Sequence, residues 1–226
     1  LWVGMPGTWS VWPIMFIGLV PLLYAVFTAG TMKKASFYGM IFGVVHSLLT
    51  LYWIVIVLGR YGGLPFYISV PALVGLASYM ALYPAVCSAL WFHCSKKYPP
   101  LVWLWCIPAT WVGFDWLRSF LFSGFPWMDL GYSLWKNPYL IQGAELFGHH
   151  IITFLIILCN VLIVLQLLPG IKTGGVLWKG ASWLLLLGLL PGYSLFSLHR
   201  FSDTLSEHEL AEVGVVQGNI VQDMKW

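Results

Sequence analysis

The sequence divides into long runs without charge, separated by short clusters of lysine, arginine, glycine and proline. A helix needs about 20 mainly apolar residues to cross the hydrocarbon core of a bilayer, and the charge-free runs hold six such lengths. Residues 1–10, rich in tryptophan, lead into a first span over Val11 to Ala29, closed by Lys33 and Lys34. A second runs from Ala35 to Leu58 and stops at Arg60, where Gly62 to Pro65 predict a turn. The third, Phe66 to Phe92, contains Pro71 and Pro84, which a membrane helix tolerates when neighbours satisfy the freed backbone groups. Lys96, Lys97, Pro99 and Pro100 end it. A fourth span covers Leu101 to Leu117, a fifth Leu146 to Leu168, and a sixth Val176 to Leu198. Between the fourth and fifth, Gly124, Pro126, Gly131 and Pro138 break the chain into an aromatic arm, residues 119–142, expected at the membrane interface.

The pattern changes after Leu198. Asp203, Glu207, Glu209 and Glu212 fall in a polar linker, residues 199–212, and a β-branched run from Val213 to Ile220 reads as the first strand of a soluble domain. The chain starts at Leu1 rather than Met and stops at Trp226 shortly after turning polar, so it reads as a fragment.

Composition agrees with a lipid solvent. Hydrophobic residues make up 60% of the chain and charged ones 8%, against roughly 45–50% and about 25% in soluble domains. The net charge of +3 gives no argument for a nucleic-acid partner. Alternate threading groups Lys33, Lys34, Lys96, Lys97, Lys172 and Lys179 against Arg60, Arg118, Lys136 and Arg200. The positive-inside rule then places the lysine pairs in the cytoplasm and the arm outside. No cleavable signal peptide is evident.

Ionisable residues in or beside spans are functional candidates. Asp115 and Arg118 stand at i, i+3 near the end of the fourth span, on one helix face and within pairing reach. They are expected as a structural ion pair or a snorkelling arginine, or else as a pair that orients the arm or meets a lipid headgroup. Glu145 and His149 at i, i+4 resemble half a metal site, but the sequence places no third ligand, so no metal and no cofactor is expected. His46 and His93 are read as packed or interfacial. Gly39 and Gly43 form a GxxxG pair suited to close helix contact. Cys87, Cys94, Cys106 and Cys159 read as buried small hydrophobes. There is no Gly-x-Ser-x-Gly elbow and no Gly-rich phosphate loop.

Three stretches together resemble a known family: Trp111-Val-Gly-Phe-Asp-Trp-Leu-Arg118 leading into Ser123-Gly-Phe-Pro-Trp127 and Gly131-Tyr-Ser133; Arg60-Tyr-Gly-Gly-Leu-Pro65; and Val215-Val-Gln-Gly-Asn-Ile220 with Gln222, Lys225 and Trp226. The chain is similar to bacterial apolipoprotein N-acyltransferases along nearly its whole length. Departures are Asp115 where the family usually has Glu, Ser119 where it has Gly, and Met5 to Ser10 in place of a Phe-Ser-Pro motif.

The resemblance implies a bundle of eight membrane helices, six of them here, followed by the start of a nitrilase-like α-β-β-α sandwich at 213–226. It implies transfer of an acyl chain from a phospholipid donor, through a cysteine thioester, to the α-amino group of a diacylglyceryl apolipoprotein acceptor. The Glu-Lys-Cys triad would lie in the nitrilase-like domain, so no catalytic residue is expected in this chain. Trp226 matches a substrate-cleft position. Structural or interfacial roles fall to Asp115, Arg118, Gly124, Phe125, Pro126, Trp127 and Tyr132. A monomer in the bacterial inner membrane, working on the periplasmic side, completes the expectation. The alternatives are a membrane transporter and a non-catalytic anchor or partner subunit.

Overall fold

The first apolar run does not form one straight helix. In the computed structural model, which describes residues 1–7, 9–169, 188, 191–203 and 213–216, the 3-10 helix Trp12–Phe16 precedes helix α1, Val20–Thr28. Pro21 lacks an N–H and clashes with the carbonyl four residues back, so the helix restarts instead of continuing. Asn160 fills the break. Its Oδ1 accepts from the Leu19 N–H and its Nδ2 donates to the Met15 carbonyl, both at 2.8 Å. Those two backbone groups would pair with each other in an unbroken helix. An amide side chain thus sits inside the backbone ladder, and both orphaned groups are satisfied without water.

The second run forms α2, Met32–Thr50, and α3, Trp53–Arg60, which meet at 50°. The Thr50 hydroxyl donates back to the His46 carbonyl at 2.8 Å, a bond that often accompanies helix bending. After the turn at Gly62 to Pro65, in which Gly63 takes a φ of +64°, α4 runs over Phe66–Lys97 and α5 over Pro100–Arg118. Pro71 and Pro84 lie inside α4 without ending it. With 32 residues it is about 48 Å long, more than a hydrocarbon core requires.

Helices α2 and α4 pack antiparallel along a seam of small residues. A Cβ on Gly43 would lie 2.6 Å from Ala81 Cα, and one on Gly39 would lie 2.3 Å from the Pro84 carbonyl oxygen. The expected GxxxG contact is therefore real: both glycines allow backbone to meet backbone, the way helices associate where lipid supplies no hydrophobic drive.

The expected fifth span begins later than its hydropathy suggests. Gly148, with φ +66° and ψ −168°, separates α7, Ala144–Phe147, from α8, His149–Leu167. Preceding these, α6 covers Pro138–Ile141. The buried face of α8 joins α1 and α5 in the main core, where Ile152, Ile156, Ile157, Val161 and Val164 are fully enclosed.

By length and composition, α4 and α8 are able to cross a membrane, and the bent α2–α3 pair makes a third candidate. The stretch Trp12–Thr28 is shorter, and α5 carries four tryptophans and Asp115. Outward faces remain strongly apolar, with Phe37, Phe66, Tyr67 and Trp105 more than half exposed. Residues 191–203 are helical, within the end of the expected sixth span and the start of the polar linker, while most of that span lies outside the described residues. Residues 213–216 have no regular secondary structure, and 217–226, including Trp226, lie outside the described residues. Three cysteines are buried as expected, but Cys106 is exposed on the surface of α5.

Candidate functional site

The i, i+3 spacing on α5 does bring Asp115 and Arg118 together: Arg118 Nη2 lies 3.2 Å from Asp115 Oδ1. Its shorter contact reaches further. The same guanidinium nitrogen donates to Asp129 Oδ1, in the arm eleven residues later. The chain gets there through a tight reversal. Phe122 adopts φ +49° and Gly124 φ +81°, and a Cβ at Gly124 would meet the Ser119 carbonyl oxygen at 2.2 Å. Glycine is required at that point on both counts. Phe125 N–H then donates to the Arg118 carbonyl at 3.0 Å, fixing the arm to the end of α5.

From Phe125 the arm packs into the bundle. Phe125 and Met128 pack against a small core of Leu51, Leu73 and Met80, and Trp127 lies against Trp53 of α3 with ring centroids 5.5 Å apart. Met128 has φ +65°, uncommon outside glycine, and the next residue carries the clamped carboxylate. Leu130 and Leu134 of the following 3-10 helix are fully buried. Gly131 donates its N–H to Thr153 Oγ1 at 2.9 Å and approaches α8 so closely that a Cβ would lie 2.4 Å from the His149 carbonyl oxygen. Trp127 and Trp135 are half exposed, while Asp129, Leu130, Ser133 and Leu134 between them are buried.

Asp129 is the hub, 2% exposed. His149 Nε2–H donates to Asp129 Oδ2 at 2.6 Å while Arg118 holds Oδ1. Tyr132 covers the imidazole at 4.6 Å between centroids, and burial pushes its phenol pKa up. A cavity of about 40 Å³, enough for a few water molecules, adjoins Arg118. Its lining includes His46, Ser47, Thr50, Asp115, Arg118, Trp127 and Met128. Asp115 Oδ2 has no hydrogen-bond partner. His46 stacks on Phe42, as a packed histidine, and His93 is exposed.

Glu145 and His149, at helical spacing in the sequence, lie on separate helices because Gly148 breaks the chain between them. Glu145 instead accepts from Ser197 Oγ at 2.8 Å and Tyr193 Oη at 3.1 Å, and pairs with Arg200. Sequence reasoning missed Asn160, a neutral amide inside an apolar run. Such an isolated polar residue is itself a signal of helix-to-helix hydrogen bonding.

Helices of this length and apolarity, a small-residue seam and a polar clamp at one end define a helical membrane domain. The chain belongs to the apolipoprotein N-acyltransferase N-terminal domain family, whose model matches residues 1–162. It is 35% identical to an apolipoprotein N-acyltransferase of Geobacter metallireducens, over 95% of this chain and 40% of the relative. Similar proteins of that name occur in Vibrio cholerae, 28% identical over 96% of this chain and 41% of the relative, and in Nitrosomonas europaea, 29% identical over 95% and 41%. The chain spans about two fifths of the length of these curated relatives. Membership in this family does not favour the transporter or anchor alternatives.

Proposed function

We propose that this chain is the membrane part of an enzyme that N-acylates the N-terminal diacylglyceryl-cysteine of apolipoproteins with an acyl chain from a phospholipid. The observation that carries the reading is the clamped arm: in a chain of this family, Arg118 and His149 pin Asp129 and so hold the Gly-Phe-Pro-Trp segment at one end of the bundle. Both substrates are lipid-anchored, so the reacting groups must meet at the membrane surface, where an aromatic segment sits well. The bundle's work is positional. Chemistry belongs to a nitrilase-like domain beginning at 213–226, with Trp226 near its cleft.

There a cysteine thiolate attacks the ester carbonyl of the phospholipid, forming a thioester and releasing a lysophospholipid alcohol. The acceptor's free amine then attacks the thioester, forming the amide and returning the thiolate. A glutamate moves the protons and a lysine stabilises the oxyanion. The protein acts as a monomer in the bacterial inner membrane, with the arm on the periplasmic side.

The test is reconstitution of the complete protein in liposomes with a diacylglyceryl peptide bearing a free N-terminus. Mass spectrometry should find the peptide heavier by one acyl chain and the phospholipid converted to its lyso form. A peptide recovered unmodified from folded protein overturns the reading.

A further inference from the structure

The arm and the start of α8 bring three metal-ligating side chains to one point. Ligand atoms of Asp129, His149 and His150 all lie within 4.8 Å of one another. A further observation points to a ligand. His150 Nε2 is shielded from solvent and has no hydrogen-bond partner, an arrangement buried polar atoms rarely keep.

We propose that Asp129, His149 and His150 bind a divalent transition-metal ion of the zinc type, with water in the fourth position, which staples the arm to α8. Two imidazoles and one carboxylate suit zinc and its neighbours better than calcium or magnesium. Tetrahedral zinc with ligand distances of about 2.0–2.2 Å sets donor atoms roughly 3.3 Å apart. Reaching that needs only small movements. The His149–Asp129 contact opens from 2.6 Å, and His150, whose ring centroid is 4.1 Å from that of His149, swings in. Arg118 stays on Oδ1, which leaves Oδ2 for the metal and orients the carboxylate. The staple is structural and does not depend on what the complete protein acylates.

The test uses the full chain in detergent, purified through a tag without histidine, equilibrated with Zn²⁺ or Co²⁺ and then desalted. About one equivalent of zinc should remain, and Co²⁺ should give the intense visible bands of a tetrahedral site. His150→Gln and, separately, His149→Gln should weaken binding by more than about 10-fold. Glu145→Gln, outside the triad, should leave it unchanged. Retention of no metal by the folded chain, an octahedral cobalt spectrum, or equal binding by His150→Gln would each overturn the proposal.

Discussion

Arg118 and Asp129 sit on opposite sides of the Phe122–Gly124 reversal, and their ion pair closes it. The Asp129 side chain is buried and that of Arg118 largely so. Removing the guanidinium leaves the buried Asp129 carboxylate with His149 as its remaining partner, which costs about 3 kcal/mol, the lower end for a broken buried pair. Arg118→Leu is therefore expected to destabilise the chain by that amount and to expose the arm to protease between 119 and 129. Asp115→Asn should cost far less, about 1 kcal/mol, because Arg118 keeps its shorter partner. Thermal unfolding in detergent, read beside limited proteolysis, distinguishes the two. Equal effects of the two substitutions would show that the arm is not held through Arg118.

The α2–α4 seam gives a second expectation, with its own control. Gly43→Leu drives side-chain atoms into the backbone of Ala81, where neither helix is able to yield, so a loss of about 1–3 kcal/mol or more is expected. Trimming the opposite side with Ala81→Gly rescues little, since the nearest atom is Ala81 Cα itself. Gly75 lies on α4 in open space, where an added Cβ would meet nothing within 4 Å, so Gly75→Ala should be neutral or raise stability by roughly 0.5–1 kcal/mol. Unfolding temperatures of the three variants check the ranking.

What was legible in the sequence follows physical range. The Asp115–Arg118 pair and the Gly39–Gly43 face depend on helical spacing alone, and both formed. Helix ends were less legible, because hydropathy does not register a single Gly148 at positive φ, and it extended the fifth span through residues that form α7. Asp129 was visible only as an acid in the arm. Its pairing with Arg118 and His149 depends on how the chain reverses at Gly124 and how Gly131 docks on α8, both long-range outcomes. Glu145 and His149 stand at helical spacing, but the break at Gly148 puts them on separate helices.

Asn160 is fully buried, and its side-chain amide bridges the Leu19 N–H and the Met15 carbonyl. Asn160→Leu keeps the branched shape but leaves the Leu19 N–H and the Met15 carbonyl without partners. At about 1–2 kcal/mol for each orphaned group, a loss of roughly 2–4 kcal/mol is expected. Asn160→Asp should fare no better, since a carboxylate accepts from Leu19 but cannot donate to Met15 while ionised. Hydrogen exchange at the Leu19 amide is the direct check: it should be protected in the parent and fast in Asn160→Leu. Unchanged protection would mean that the break is held by packing alone.

The tie between α7 and the helix at 191–203 should respond to acid. Hydrogen bonds from Ser197 and then Tyr193, with Arg200 adding its charge, hold the Glu145 carboxyl below its usual pKa. A carboxyl with a lowered folded-state pKa favours the folded contact above the unfolded pKa and loses that contribution as pH falls through the folded value. The tie is thus expected to stay constant through neutral pH and to loosen only below the ordinary carboxylate range. Spin labels at Leu146 and Phe196, both exposed, would report the separation of the two helices. Acidification should broaden the distance distribution in the parent, while Glu145→Gln should be insensitive to pH in that window. A parent distribution that stays narrow below the range would mean that Glu145 is not what joins them.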